Sequence, residues 1–264
     1  MQPTSRVPIT RVSGEAASRD EDVLAVEEPL EIRIGEKPVS VTLRTPGEDF
    51  ELAAGFLFSE SILHAADEIE SIRHWGSPNV VRVQLRDGVK LDLQRLQRHF
   101  YSTSSCGVCG KTSIDALRVQ TAPVQSDLRM HAAKIIAMPE LLRAQQTSFD
   151  ATGAIHGAAI FDADGNILRA REDVGRHNAV DKVIGSFFLE SATPLAQHAL
   201  VVSGRLSFEI VQKTIVAGIP ILAAVGAPST LAVELAHEFG VTLIGFVRGE
   251  RFNVYTSAER IVSG

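Results

Sequence analysis

Cysteine, net positive charge and long apolar runs are scarce in this sequence, and each shortage narrows what the chain can be. Only two cysteines occur in 264 residues, Cys106 and Cys109. A bridge between positions so close would close a very small ring and restrict little of the unfolded chain, so a structural staple explains them poorly. The formal net charge is −6. That argues against long-range capture of nucleic acid, which depends on dense Lys/Arg surfaces, while leaving room for a local basic pocket for one nucleotide-like ligand. No stretch approaches the roughly 20 apolar residues of a membrane helix. The longest, such as residues 219–225, are short and bounded by Gly and Pro, as buried strands are. The first residues, MQPTSRVPITRVSGEAASRDED, lack the apolar centre of a signal peptide. A soluble cytoplasmic protein with no nucleic-acid and no membrane partner is expected.

What is present is ordinary globular material: 45% hydrophobic and 22% charged residues, enough for one large or two modest domains with a real core. Residues 1–22 are polar and without period, and are expected to form a mobile tail. Residues 29–34 (PLEIRI) and 38–43 (PVSVTL) alternate as a hairpin does. Phe50, Ala53, Ala54, Leu57 and Phe58 then mark the apolar stripe of a helix, with Glu48 and Asp49 in its first turn. Two more alternating segments, 69–75 and 80–85, complete a small α+β domain over about 23–100. Residues 101–125 form a cysteine loop and linker, and a helix is expected to follow Pro139, which suits a first helical position. From 126 to 264, hairpin 158–170 precedes helices 178–189, 208–217 and 230–239, which alternate with strands 198–202, 219–225 and 241–246. Such alternation predicts a layered α/β domain with largely parallel pairing, so the chain is α/β (α+β overall). There are no repeats.

The most chemically pointed segment is YSTSSCGVCGK at 101–111. A thiolate is the nucleophile, and nearby positive charge, here Lys111, lowers its pKa. Gly107 and Gly110 let the backbone bend and keep both sulfurs accessible. Four uses compete: a zinc site, a thioredoxin-like redox pair, two inert buried thiols, and a nucleophilic sulfur relay. A structural zinc usually needs four ligands, and there is neither a second Cys pair nor finger-like His spacing.

Three further segments pair a plain structural use with a binding one. The block 172–182 (EDVGRHNAVDK) is either a loop leading into a solvated helix face or a site holding guanine or phosphate through Arg176, His177 and Asn178. Ser203, Gly204 and Arg205 follow a buried strand and precede a helix, where anions bind in α/β sheets; P-loop spacing is absent. Residues 245–251 (Gly245, Phe246, Val247, Arg248, Gly249, Glu250, Arg251) also follow a strand, with two arginines to clamp a pyrophosphate and Phe246 to stack on a base. His156 is either a hydrogen-bonded core residue or part of the same pocket.

These residues also carry a resemblance. The cysteine loop SCGVCG is similar to that of the formate dehydrogenase accessory proteins, the FdhD (NarQ) family. So are EPLEI at 28–32, RTPG at 44–47, ELAAGFL at 51–57, EDVGRHNAVDK, SGR at 203–205 with Glu209 and Lys213, GIP at 218–220, GFVR at 245–248 and FNVY at 252–255. The resemblance runs in order over about residues 27–256. It implies a sulfur carrier that takes persulfide sulfur from a cysteine desulfurase and passes it to the molybdenum bis(molybdopterin guanine dinucleotide) cofactor destined for the catalytic subunit of formate dehydrogenase. It implies Cys106 as carrier, Cys109 as its assisting partner, the 245–251 segment as part of the cofactor-binding site, GDP or GMP as mimics of the cofactor, a homodimer, and a cytidine-deaminase-like three-layer C-terminal domain; no zinc is expected, for want of further ligands. Deaminase chemistry is not expected, because His156 is followed by Gly157 and Ala158 where that chemistry needs H-x-E. Two rivals remain: a chaperone that holds the cofactor without moving sulfur, and a thiol–disulfide oxidoreductase.

Overall fold

The computed structural model describes residues 2–89 and 121–263. It opens on an antiparallel hairpin, β1 (Thr4–Ser13) and β2 (Ala16–Ala25), in unbroken register from Thr4 opposite Ala25 to Ser13 opposite Ala16. Most of residues 1–22 therefore pair as strands instead of forming the featureless tail expected. β-branched Thr4, Val7, Ile9, Thr10 and Val12 favour the extended backbone, Gly14 supplies the positive φ of the turn, and Arg11 pairs with Asp20 across the strands at 2.6 Å. Both faces of the hairpin are largely exposed. It has no buried side whose alternation could appear in the sequence.

A four-stranded sheet of order β4-β3-β6-β5 follows, built from β3 (Glu28–Ile34), β4 (Lys37–Arg44), β5 (Ile69–Trp75) and β6 (Ser77–Leu85). Leu30, Ile32 and Ile34 of β3, with Val39, Val81 and Val83, turn one face inward. Helix α1 (Asp49–Ser59) buries Leu52, Ala53, Ala54, Leu57 and Phe58 in the same core.

Beyond the undescribed stretch, β7 (Met130–His131) pairs in parallel with β14 (Ile261–Val262). Helix α2 (Ala132–Gln145) starts seven residues ahead of Pro139, which therefore sits inside it. The expected start after Pro139 is thus corrected. The proline removes one backbone bond, to the Ile135 carbonyl, without ending the helix, because buried Ile135, Met138 and Leu142 hold both sides of it to the sheet. A short helix α3 (Thr147–Thr152) leads to the second sheet.

That sheet has order β13-β12-β11-β10-β8-β9, from β8 (His156–Phe161), β9 (Ile167–Asp173), β10 (Ala199–Val202), β11 (Ile221–Ala224), β12 (Thr242–Arg248) and β13 (Arg251–Val254). Only β10–β11 and β11–β12 are parallel; the other three pairings are antiparallel. The expectation of largely parallel pairing fails at the sheet's flanks, where β8–β9 and β12–β13 are joined by turns too short for a crossover. Successive residues of the central strands face opposite layers. Ala158, Ile160, Leu200, Val202, Leu222 and Leu243 pack in the cluster of α4 (Arg176–Leu189), α5 (Phe208–Val216) and α6 (Thr230–Glu238). Ala159, Phe161, Ala199, Val201, Ile221 and Ile244 pack under α2. The result is a three-layer α/β arrangement, with the strands covered on both faces and hence continuously apolar.

The two sheets share one core cluster running from Leu30 to Leu243. Helices α1 and α4 cross where each carries a glycine: a Cβ on Gly185 would collide with the Glu51 carbonyl, and one on Gly55 with the Asp181 carbonyl. Charge is buried at the same seam. Lys182 binds Asp173 at 2.8 Å and the Thr45 carbonyl at 2.9 Å, while Lys213 binds Asp181 at 2.9 Å and Glu60 at 3.1 Å. Among the described residues, no helix is long and apolar enough to cross a membrane.

Candidate functional site

Strand β8 runs antiparallel to β10, so its first residue, His156, lies beside the carboxyl ends of the parallel strands. Loops after those ends are where open α/β sheets place ligands. Here they border a cleft of about 620 Å³. Its floor is His156, Ser203 after β10, Val225 after β11, and Val247, Arg248 and Gly249 at the end of β12; its other wall is α2 and residues 146–155, including Ile136, Leu142, Phe149 and Ile155. A one-residue bulge between Gly245 and Arg248 shapes the β12 side. Phe246 takes φ 55° there and donates its N–H to the Gly226 carbonyl at 3.1 Å. A left-handed backbone at a bulky residue is uncommon, and bulges of this kind re-aim neighbouring side chains.

Beside the cleft lies a basic cradle. A Cβ on Gly204 would stand 3.3 Å from His156 Nδ1 and 3.9 Å from Arg176 Cδ, and one on Gly226 only 2.6 Å from the Gly204 carbonyl oxygen. The loops after β10 and β11 thus meet backbone to backbone, and the lack of a side chain at 204 brings His156 and Arg176 together. Arg176 is the first residue of α4, a helix of 14 residues whose start has no side-chain cap. Its N–H groups and dipole favour an anion. Arg176 Nε is buried without a hydrogen-bond partner among the described residues. Burial first, then the charges of Arg176 and Arg205, hold His156 below the usual imidazole range against the opposing pull of Asp173. At neutral pH His156 is uncharged, so it offers a hydrogen bond while the arginines carry the positive charge.

The other site candidates fall elsewhere. His177 Nε2 lies 3.0 Å from Ser207 Oγ and 3.8 Å from Glu209. Burial, with Lys213 and Arg176 beside it, pushes its pKa down to about 4. Asn178 is consumed internally: its amide donates to the Leu43 carbonyl at 2.8 Å and to Asp173 at 2.9 Å, and its oxygen accepts from Thr42 at 3.1 Å. Gly245 packs against Gly226, Pro228 and Tyr255. The Arg248 guanidinium lies 5.4 Å from the Phe246 ring centre, and Glu250 and Arg251 are exposed at the β12–β13 turn. Cys106 and Cys109 lie outside the described residues. Two further positions are prominent, Glu172 at the start of the block singled out in the sequence and Gln146, which the sequence did not mark. Glu172 caps α3 by accepting the Ser148 and Phe149 N–H groups at 2.9 Å each, and Gln146 lies in the cleft wall.

The described residues thus form a mixed α/β fold with an apolar cleft and an arginine cradle at the strand ends. Its lineage is specific. The model of the FdhD/NarQ family matches residues 25–262, and the chain belongs to that family. It is 52% identical to the sulfur carrier protein FdhD of Mycolicibacterium paratuberculosis over 99% of this chain and 100% of that one. It is 43% identical to the protein of the same name from Sulfolobus acidocaldarius over 97% of this chain and 98% of that one. A crystal structure of a formate dehydrogenase accessory protein from Desulfotalea psychrophila superimposes with a TM-score of 0.80 at 26% identity, covering 98% of this chain and 99% of that one.

Proposed function

We propose that this protein is a cytoplasmic sulfur carrier and sulfurtransferase. It takes persulfide sulfur from a cysteine desulfurase and delivers it to the molybdenum bis(molybdopterin guanine dinucleotide) cofactor bound for formate dehydrogenase. The cofactor is cargo here, held by its nucleotide ends. The observation that carries this reading is the continuity of cleft and cradle through His156, which lines the first and touches the second. A base enters the apolar cleft, and its pyrophosphate meets Arg176, Arg205 and the start of α4. Sulfur arrives when the Cys106 thiolate attacks the outer sulfur of the desulfurase persulfide. The S–S bond to Cys106 forms as the bond to the desulfurase cysteine breaks, and that cysteine leaves as thiolate, with no net oxidation. Cys109 assists Cys106, as the family resemblance implies.

Intact-protein mass spectrometry after incubation with a cysteine desulfurase and cysteine tests the reading. The expected result is one added sulfur on the peptide holding Cys106 and Cys109, removed by reductant and lost in Cys106→Ala. No added sulfur with an active desulfurase would overturn the carrier role, and retained GDP binding in that case would leave a cofactor-holding chaperone.

A further inference from the structure

We infer that Thr45 is a positioning residue for the cradle: it fixes the turn between β9 and α4, and through that turn the aim of Arg176. This inference rests on the proposed anion-binding role of the cradle and assigns a residue beside the first sheet that completes it. Thr45 directly follows β4, in the RTPG segment at 44–47. Pro46 behind it restricts it to extended backbone, and Gly47 supplies a φ of 117° where the chain turns toward α1. Arg44 in front closes that turn, its buried guanidinium holding Asp49 at 2.8 and 3.0 Å. Thr45 itself is only 2% exposed, and its N–H, hydroxyl oxygen and carbonyl all engage the 172–182 block. The N–H donates to Asp173 Oδ2 at 3.1 Å, Oγ1 accepts the Val174 N–H at 3.1 Å, and the carbonyl accepts from Lys182 Nζ at 2.9 Å.

Those bonds decide where the turn lies. Only Val174 and Gly175 separate the end of β9 from Arg176, the first residue of α4. The Val174 N–H is held by Thr45, and the Gly175 N–H is held at 2.8 Å by Asp173 Oδ1. Asp173 is fully buried, and Thr45 and Lys182 fix its other oxygen. Gly175 has no room for a side chain: a Cβ there would stand 2.9 Å from Asn178 Nδ2 and 3.4 Å from Asp173 Oδ1. Across the β8–β9 pairing Asp173 lies opposite His156, the other side chain of the cradle. Arg176 Nε has no hydrogen-bond partner among the described residues, so the backbone at its root sets its direction. A guanidinium recognises an anion through a fork of fixed geometry, and such a group is only as well aimed as the contacts behind it. Thr45 supplies those contacts from outside the second sheet.

Calorimetric titration of the full-length protein with inorganic pyrophosphate tests this, at a temperature where circular dichroism shows each variant folded. Thr45→Val keeps the shape of the side chain without its acceptor and should bind pyrophosphate about tenfold more weakly than wild type. Thr45→Ser keeps the oxygen and should stay within about twofold of wild type. Thr45→Ala removes the oxygen without setting a methyl in its place and should match Thr45→Val, so the outcome does not hang on how valine is accommodated. Arg176→Gln should weaken binding too, and combining it with Thr45→Val should weaken it no further, because residues acting through one contact are not additive. Additive losses, a Thr45→Ser protein as weak as Thr45→Val, or wild-type binding in both Thr45→Val and Thr45→Ala overturn the role of Thr45 and leave the cradle standing. Wild-type binding in Arg176→Gln, or a wild type that does not bind pyrophosphate, overturns the cradle and this inference with it.

Discussion

His156 and His177 both feel the charge of Arg176, and both are held below the ordinary imidazole range. For His177 the consequence is measurable as stability. Its folded pKa of about 4 lies below the unfolded value of about 6.5. Between those values the unfolded chain binds more protons, so stability is full above about pH 6.5 and declines as the pH falls toward 4. The side chain is 31% exposed, which discounts the loss to about 1 kcal/mol. Urea denaturation at pH 7 and pH 4.5 should show His177→Gln losing less stability than wild type by about that amount. An identical loss in both proteins would show that His177 does not report this burial. The same residue shows how far a motif can be read. Arg176, His177 and Asn178 adjoin in sequence, but successive residues of a helix point about 100° apart. Only Arg176 reaches the cradle, while its neighbours face Ser207 and Leu43. Gln146 left no sequence signal at all, because its setting depends on Gly157, across a tertiary contact.

Elements were more legible than sites. Alternation marked β3 with β4 and β8 with β9, and the stripe from Phe50 to Phe58 marked α1, because each has one buried side. Where burial is absent, as in β1 and β2, or where a breaker is overruled by packing, as at Pro139, local pattern was a poor guide. The crossing of α1 over α4 is a third case: Gly55 and Gly185 look unremarkable singly, and their purpose appears only when the helices meet. In an isolated helix, changing glycine to alanine stabilises by about 1 kcal/mol. At position 185 the new methyl would meet the Glu51 carbonyl, and the helices would have to separate. Gly185→Ala should therefore destabilise the protein by roughly 1–3 kcal/mol in chemical denaturation. A gain in stability would mean that the helices do not approach so closely.

At the scale of the whole molecule, the element pattern divides the chain into a small α+β unit and an α/β unit, and the seam between their sheets holds a shared apolar cluster and buried charge. Burial alone would lower the Lys213 pKa, but Asp181 and Glu60 overcome it and push the value up to about 12. The ammonium is therefore charged wherever the protein is folded, and its removal would strand Asp181, which is 2% exposed. Breaking a buried pair from one side costs about 3–5 kcal/mol, whereas replacing both partners with apolar groups is often neutral. Lys213→Met should show the first effect, and adding Asp181→Leu should recover most of the loss. Because Ser59 and Glu60 at the end of α1 also hold Lys213, the damage should reach the N-terminal sheet. Trp75, the single tryptophan, lies on β5 of that sheet under Arg82 at 4.3 Å. Its fluorescence follows the first sheet, while circular dichroism is weighted toward the helices of the second. In wild type the two signals should change at one denaturant concentration, and in Lys213→Met both should shift together. Separate midpoints in the wild type would mean that the shared core does not couple the sheets, and that the two units fold independently.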